Sequence, residues 1–259
     1  MTAAQVFGHR GSSAALPEHT VEAYERALAE GVDGLECDVR LSRDGHLVCI
    51  HDASINRTSD GRGRVSALTL AQLNRHDFSS WHPGAPAQSA PGILTLDRLL
   101  TMARSAGRPM QVLVETKHPA RFGGLVEHEL VALLIRHGLH TTAGAQASGV
   151  TVSVMSFSPT ALRRIRTLAP QVPTVFLFEL APPSVWDGRA PAWADHLGPG
   201  IKAVRGRPDV VRRAHDHGRR TYVWTVNEPS DIALMVDLGV DAIISDRPAR
   251  VLAALDRPA

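Results

Sequence analysis

The strongest constraint on this chain is a repeating alternation of short apolar runs with helical patterns along its 259 residues. Runs that read as strands fall at Gln5–His9, Gly34–Leu41, Leu47–His51, Gln111–Glu115, Val150–Ser156, Thr174–Phe178, Ile201–Arg205, Thr221–Val226 and Asp241–Ile244. Helical patterns fit near Thr20–Glu30, Leu96–Ala106, Leu125–His137, Pro159–Leu168, Asp209–His217 and Pro229–Leu238. A parallel neighbour needs a crossover of about a dozen residues or more. The link from Leu41 to Leu47, which carries the turn signal Arg43-Asp44-Gly45, is too short for one. Leu47–His51 therefore returns antiparallel, as a hairpin arm on the second strand. Eight parallel strands remain, at roughly 32 residues per unit, the length of one βα repeat. This predicts an α/β fold, a (β/α)8 TIM barrel, as one domain over residues 1–259. An open doubly wound sheet is the alternative, because periodicity does not show closure.

Two segments interrupt the rhythm. Ala53–Gly92 is rich in Ser, Gly, Pro and Ala, is too long for a barrel loop, and reads as an inserted subdomain over one barrel end. Ala181–Gly200 is Pro-rich, holds Trp186 and Trp193, and reads as a second, lid-like loop.

Charge excludes some partners. Lys plus Arg is 28 and Asp plus Glu is 26, a net charge of +2, which provides no field to collect nucleic acid or an anionic membrane. The bases are 26 Arg and only two Lys, Lys117 and Lys202, so a Lys is a less casual choice here. Cys37 and Cys49 make no disulfide framework, and no Cys-His spacing suggests zinc. No stretch approaches the roughly 18 apolar residues of a membrane span. The first residues, Met1 to Gly8, lack the basic and apolar regions of a signal peptide. The expectation is a cytoplasmic protein acting on a small molecule, without nucleic acid or stable membrane insertion; its oligomeric state stays open.

Reactive residues gather at the ends of these runs, where barrel active sites are built. Glu36 and Asp38 share one face of the second strand and Cys37 takes the other. Two inward carboxylates repel unless a cation lies between them, and Glu115 on another strand can add a third oxygen. Such an all-oxygen set suits Mg²⁺ or Ca²⁺. A hairpin centred near Asp44-Gly45 brings His51 close to Asp38, as a general acid/base candidate that Asp52 can orient. His9-Arg10-Gly11 adds a second His, a guanidinium suited to phosphate, and a glycine that lets backbone approach a ligand. Lys117 shares the face of Glu115 and supplies a point charge. Trp224 either packs a substrate's carbon skeleton or fills the core. A hard cation, two cationic side chains and two His together fit metal-assisted cleavage of a phosphodiester.

The segments Phe7-Gly8-His9-Arg10-Gly11, Leu16-Pro17-Glu18-His19-Thr20, Gly34-Leu35-Glu36-Cys37-Asp38 and Val48-Cys49-Ile50-His51-Asp52 resemble the glycerophosphodiester phosphodiesterase family. So do Val114-Glu115-Thr116-Lys117, Trp224-Thr225-Val226-Asn227 and Ser245-Asp246-Arg247-Pro248, in order over nearly the whole chain. The resemblance is to the shorter, cytosolic bacterial type. It implies a barrel with a small insertion after the strand-two hairpin. It also implies a catalytic pair at His9 and His51, metal carboxylates at Glu36, Asp38 and Glu115, and phosphate contacts at Arg10 and Lys117. The implied reaction is hydrolysis of glycerophosphodiesters to sn-glycerol 3-phosphate and an alcohol with Mg²⁺ or Ca²⁺. His19 departs from the family's usual Asn and Leu94 from its usual Pro.

Two other readings compete. One is a lysophospholipase D or sphingomyelinase D-like enzyme, which needs an apolar channel. The other is a non-catalytic phosphodiester-binding protein, against which the intact His9 and His51 argue.

Overall fold

The computed structural model describes residues 4–87 and 91–257; the expectations for Met1–Ala3 and for residues 88–90 of the insertion lie outside the described residues. The strands are β1 (Gln5–His9), β2 (Gly34–Leu41), β3 (Leu47–Cys49), β4 (Met110–Thr116), β5 (Val150–Ser156), β6 (Thr174–Phe178), β7 (His196–Pro199), β8 (Tyr222–Val223) and β9 (Ala242–Ser245). The main path runs β7-β6-β5-β4-β2-β1-β9-β8, with parallel pairing between the neighbours along it. Two isolated parallel bridges, Leu197 with Thr221 and Gly200 with Trp224, join β7 to β8 at the seam. The strands thus form a ring of eight with helices between them, a TIM barrel, and the open-sheet alternative is set aside. β3 stands off this path and pairs antiparallel with β2, as the short link requires.

Strand alternation sorts the core into two compartments. Phe7, Leu113, Met155, Val175, Leu177, Tyr222, Ala242 and Ile244 pack together inside the barrel. Their neighbours in sequence, such as Val6, Val112, Val154 and Ile243, face the helices in a larger cluster. Phe7 is fully buried, and truncating it to Ala would cost about 3–5 kcal/mol. The helices start on short polar caps. Thr20, Thr95 and Ser158 accept from the backbone N–H of Ala23, Arg98 and Ala161, each bond worth about 1 kcal/mol.

One strand is not where the sequence pattern predicts it. Ile201–Arg205 lies in a helix, Ile201–Gly206, and the seventh barrel strand is His196–Pro199. Ala203 and Val204 are buried while Lys202 and Arg205 are exposed, a one-sided helical pattern that five residues are too few to distinguish from a strand. The segment Ala181–Gly200 consequently is not a single lid loop: it holds a short helix, Pro183–Trp186, and then β7.

The hairpin register also differs by one residue from the expected one. Val39 faces Cys49 and Leu41 faces Leu47, and the Ile50 N–H donates to the Asp38 carbonyl at 3.0 Å. Ile50, not His51, is thus the backbone partner of Asp38. Beyond the hairpin, Ile55, Val65, Leu73 and Phe78 pack with Val48, Ile50 and Ile93 in a small core of their own.

Candidate active site

Parallel register assembles the charged layer. His9 pairs with Glu36 between β1 and β2, and Asp38 pairs with Glu115 between β2 and β4. These positions point inward at the carboxyl ends of their strands, one layer above the apolar barrel interior. Glu36, Asp38 and Glu115 are all buried, and each offers an oxygen within 4.8 Å of the other two.

Mutual repulsion and burial mark these carboxyls. Burial, and then the charge of Asp38, pushes Glu36 well above the carboxylate range. The same two causes raise Glu115 to about 7. Burial acts to raise Asp38 too, but His19, Arg10 and Lys117 hold it well below its ordinary value. His19 Nε2 lies 3.0 Å and Arg10 Nε 2.9 Å from Asp38 Oδ2. Lys117 Nζ bridges Asp38 Oδ1 at 3.0 Å and Glu115 Oε1 at 2.8 Å.

The cluster fits a divalent cation. Its donors are all oxygens, the preference of Mg²⁺ and Ca²⁺. Asp38 Oδ1 is buried without a well-formed hydrogen bond, so it has an acceptor site to give. Burial and then the charge of Asp38 raise Glu36 and Glu115, and a positive ion among the three oxygens would oppose both effects.

The two His stand at the rim of this cluster. His9 Nδ1 lies 2.6 Å from Asp246 Oδ1, and its Nε2 lies 3.9 Å from Glu36 Oε2. Asp246 is held at about 2 against the opposing effect of its burial, by His9 and by Asn227, whose Nδ2 donates to Oδ2 at 2.6 Å. A carboxylate can only accept, so His9 donates from Nδ1 and presents a lone pair at Nε2. His51 repeats the arrangement: its Nδ1 donates to Asp52 Oδ1 at 2.8 Å, and Asp52 is held at about 2 by Arg57 and His51. Burial, then the nearby Arg10, lowers the His51 pKa.

Arg10 adopts a left-handed backbone, φ 58°, uncommon for a side-chain-bearing residue and frequent at functional sites. That turn lets its N–H donate to the Glu36 carbonyl at 3.1 Å while the guanidinium reaches Asp38 and Glu18. Gly11 serves differently from the expectation. Its φ is 86°, and a Cβ there would come within 2.6 Å of Ala23 backbone, so its close approach is to the following helix.

A cavity of about 140 Å³ opens on this layer. His9, Arg10, Glu36, His51, Glu115 and Lys117 line its polar side. Met155, Phe157, Leu177 and Trp224 line the other side. Trp224 donates from Nε1 to the Gly198 carbonyl at 2.8 Å and meets the Phe157 ring edge-on at 5.3 Å. The site residues read from sequence therefore meet around one cavity, with Asp38 buried directly beneath it.

Comparison with known sequences decides the family. A sequence model of the glycerophosphoryl diester phosphodiesterase family matches residues 9–250. The chain belongs to this family. A probable glycerophosphodiester phosphodiesterase 1 of Mycobacterium tuberculosis is 44% identical over 97% of this chain and 92% of its own length. The glycerophosphodiester phosphodiesterase of Bacillus subtilis is 32% identical over 93% of this chain and 82% of its own. In fold, a phosphodiesterase of Oleispira antarctica, solved with its product sn-glycerol-3-phosphate, superposes with a TM-score of 0.77 at 24% identity, covering 98% of this chain and 97% of its own. The phosphodiesterase class assigned from the motifs is thereby shown.

Within this glycerophosphodiester phosphodiesterase, several site residues carried no role in the sequence reading. Glu18 is one: its carboxylate accepts a two-pronged pair from Arg57 at 2.8 Å each and touches Arg10 at 3.2 Å. Arg57 also grips Asp52, so Glu18, Arg57, Asp52 and His51 form one chain of contacts. Asp246 and Asn227 are others. Asp246 follows the last barrel strand immediately, a placement that alone could have marked it. His19, with φ 61°, is buried and holds Asp38 from below, its Nδ1 lying 2.9 Å from the Tyr24 hydroxyl.

Proposed function

We propose that this phosphodiesterase hydrolyses glycerophosphodiesters to sn-glycerol 3-phosphate and an alcohol, with His9 and His51 as the acid/base pair and a divalent cation on Glu36, Asp38 and Glu115. The observation that carries this reading is two imidazoles, each fixed by its own carboxylate, at one cavity with three clustered carboxylates. A bound cation supplies Lewis-acid polarisation of phosphoryl oxygens and lowers the pKa of a hydroxyl.

The residues divide the remaining work. Arg10 and Lys117 neutralise the phosphate, Arg10 through a planar fork. His9 takes the proton of the glycerol 2-hydroxyl at Nε2 as that oxygen attacks phosphorus and a five-membered cyclic phosphate forms. His51 protonates the leaving alcohol oxygen at Nε2. The two then exchange roles: His51 deprotonates water, and His9 protonates the ring oxygen that leaves as the ring opens. Trp224 and Met155 pack the glycerol carbons. A lysophospholipase D reading has less support, because no long apolar channel lines the cavity among the described residues.

The test is release of sn-glycerol 3-phosphate from glycerophosphocholine with and without chelator. Release that stops on chelation and returns with Mg²⁺ or Ca²⁺ supports the reading. Full release after metal analysis shows no cation would overturn it. A diester of an alcohol without a vicinal hydroxyl reports the cyclic step, and equal turnover of that diester would exclude it.

A further inference from the structure

Asp38 is fully buried, and its two oxygens have unlike surroundings. Oδ2 faces His19 Nε2 at 3.0 Å and Arg10 Nε at 2.9 Å. Oδ1 has no well-formed hydrogen bond among the described residues, although the Lys117 ammonium stands 3.0 Å away. One oxygen is committed to the protein, and the other can turn to a cation. Glu115 and Glu36 show the same split. Glu115 Oε1 accepts from Lys117 at 2.8 Å, and Glu36 Oε2 accepts from the Arg10 backbone N–H at 3.2 Å.

The partners of Asp38 differ in permanence. Arg10 and Lys117 line the catalytic cavity and are free to turn toward a phosphate. His19 does not line it and is buried beneath. Its ring is pinned at both nitrogens. A carboxylate only accepts, so Nε2 carries a proton and donates it to Asp38. Nδ1 lies 2.9 Å from the hydroxyl of Tyr24, which is fully buried on the first helix, Val21–Ala29. The His19 backbone N–H donates to the Arg10 carbonyl at 3.1 Å. Asp38 therefore cannot turn Oδ2 toward a cation without stranding a buried imidazole N–H, at the full desolvation cost of that group.

We propose that His19 is a positioning residue that holds Asp38 to one-oxygen coordination and so biases the site toward Mg²⁺ over Ca²⁺. The inference rests on the cation site proposed above and deepens it. Ca²⁺ takes about six to eight oxygens in a flexible shell and readily accepts both oxygens of one carboxylate. Mg²⁺ demands a smaller, octahedral shell and keeps several of its waters. Three carboxylates with one free oxygen each suit the second ion. Releasing Asp38 Oδ2 would add the extra oxygen that favours the first.

Two substitutions separate the ring nitrogens. An Asn amide extends only as far as the place of Nδ1, so His19→Asn keeps a partner for Tyr24 and loses Asp38. It also tolerates the left-handed backbone at residue 19, φ 61°. A Gln amide extends to the place of Nε2, so His19→Gln can keep Asp38. Calorimetric titration of MgCl2 and of CaCl2 into wild type and both variants reads the dissociation constants without turnover, and melting temperatures in chelator verify folding. Wild type is expected to bind Mg²⁺ at least as tightly as Ca²⁺. In His19→Asn the ratio of the two constants is expected to move toward Ca²⁺ by at least about fivefold, and in His19→Gln to stay within about twofold of wild type. A packing role alone would lower the melting temperature and leave the ratio where it was. An unmoved ratio, equal shifts in both variants, or tighter Ca²⁺ binding by wild type would overturn the proposal. Should His19→Asn not fold, Tyr24→Phe loosens the same ring from its other nitrogen: a shift toward Ca²⁺ of at least about twofold sustains the proposal, and no shift removes it. Wild type that binds neither ion removes the cation site itself and this proposal with it, a failure distinct from an unmoved ratio.

Discussion

His9 Nδ1 lies 2.6 Å from Asp246 Oδ1, a hydrogen-bonding contact between the first strand of the barrel and the residue after its last. Because β1 and β9 are adjacent, two residues remote in sequence form one hydrogen-bonded pair. Asp246→Asn should therefore act through the imidazole. The amide can donate as well as accept, so it no longer enforces the Nδ1–H tautomer. We expect kcat to fall about 10²–10⁴-fold with KM and melting temperature little changed. Unaltered kcat would remove Asp246 from the mechanism.

His51→Ala should lower the rate by about 10²–10⁴. A substrate with an activated leaving group, whose oxygen needs no proton, should recover much of that loss. The same substrate should not rescue His9→Ala to a similar extent. Rescue of His9→Ala instead would show that the roles in the first step are reversed.

Cation binding should raise stability as well as rate. At a concentration about 100 times the dissociation constant, a ligand of the folded state adds about 2.7 kcal/mol. Thermal unfolding with and without Mg²⁺ or Ca²⁺ should show an upward shift in wild type that is absent in the double variant Glu36→Gln, Glu115→Gln. An equal shift in that variant would place the cation elsewhere.

Arg10→Lys should cost at least about tenfold in kcat/KM, about 1.4 kcal/mol, because an ammonium cannot bridge two phosphate oxygens as a fork does. The guanidinium also spans Glu18 and Asp38, which a single Nζ cannot reproduce. Wild-type kinetics in this variant would refute a phosphate contact at Arg10.

Arg57 sets an acid-dependent contribution to stability. Glu18 and Asp52 are lowered from 4.5 and 3.8 to about 2, with Arg57 hydrogen bonds a main cause. A folded-state pKa below the unfolded one stabilises above the unfolded value and is lost as pH falls through the folded one. Arg57→Ala should therefore be less stable than wild type at pH 7, by about 1–2 kcal/mol after allowing for solvent around the half-exposed guanidinium. The gap should narrow below about pH 4.5 and close toward pH 2. Urea unfolding at pH 7, 4 and 3 measures it, and a constant gap would show that the arginine acts by packing alone.

The periodicity of apolar runs determined the alternation of parallel strands with helices, though not its closure into a barrel, and link length alone turned β3 antiparallel, because a five-residue link cannot carry a parallel crossover. The face shared by Glu36 and Asp38 was likewise legible, since strand alternation is a local rule. Tertiary structure decided what no local rule reaches. The seventh strand was misplaced because five residues of Ile201–Arg205 satisfy both periods, and only packing between β6 and β8 selects His196–Pro199. The hairpin register moved by one residue, placing Ile50 opposite Asp38 while His51 still reached the cavity beyond the strand's end. Asp246 beside His9, and Glu18 joined through Arg57 to Asp52, depend on contacts between segments remote in sequence. Residue types and spacings specify which side chains a strand presents, whereas barrel closure specifies which of them meet.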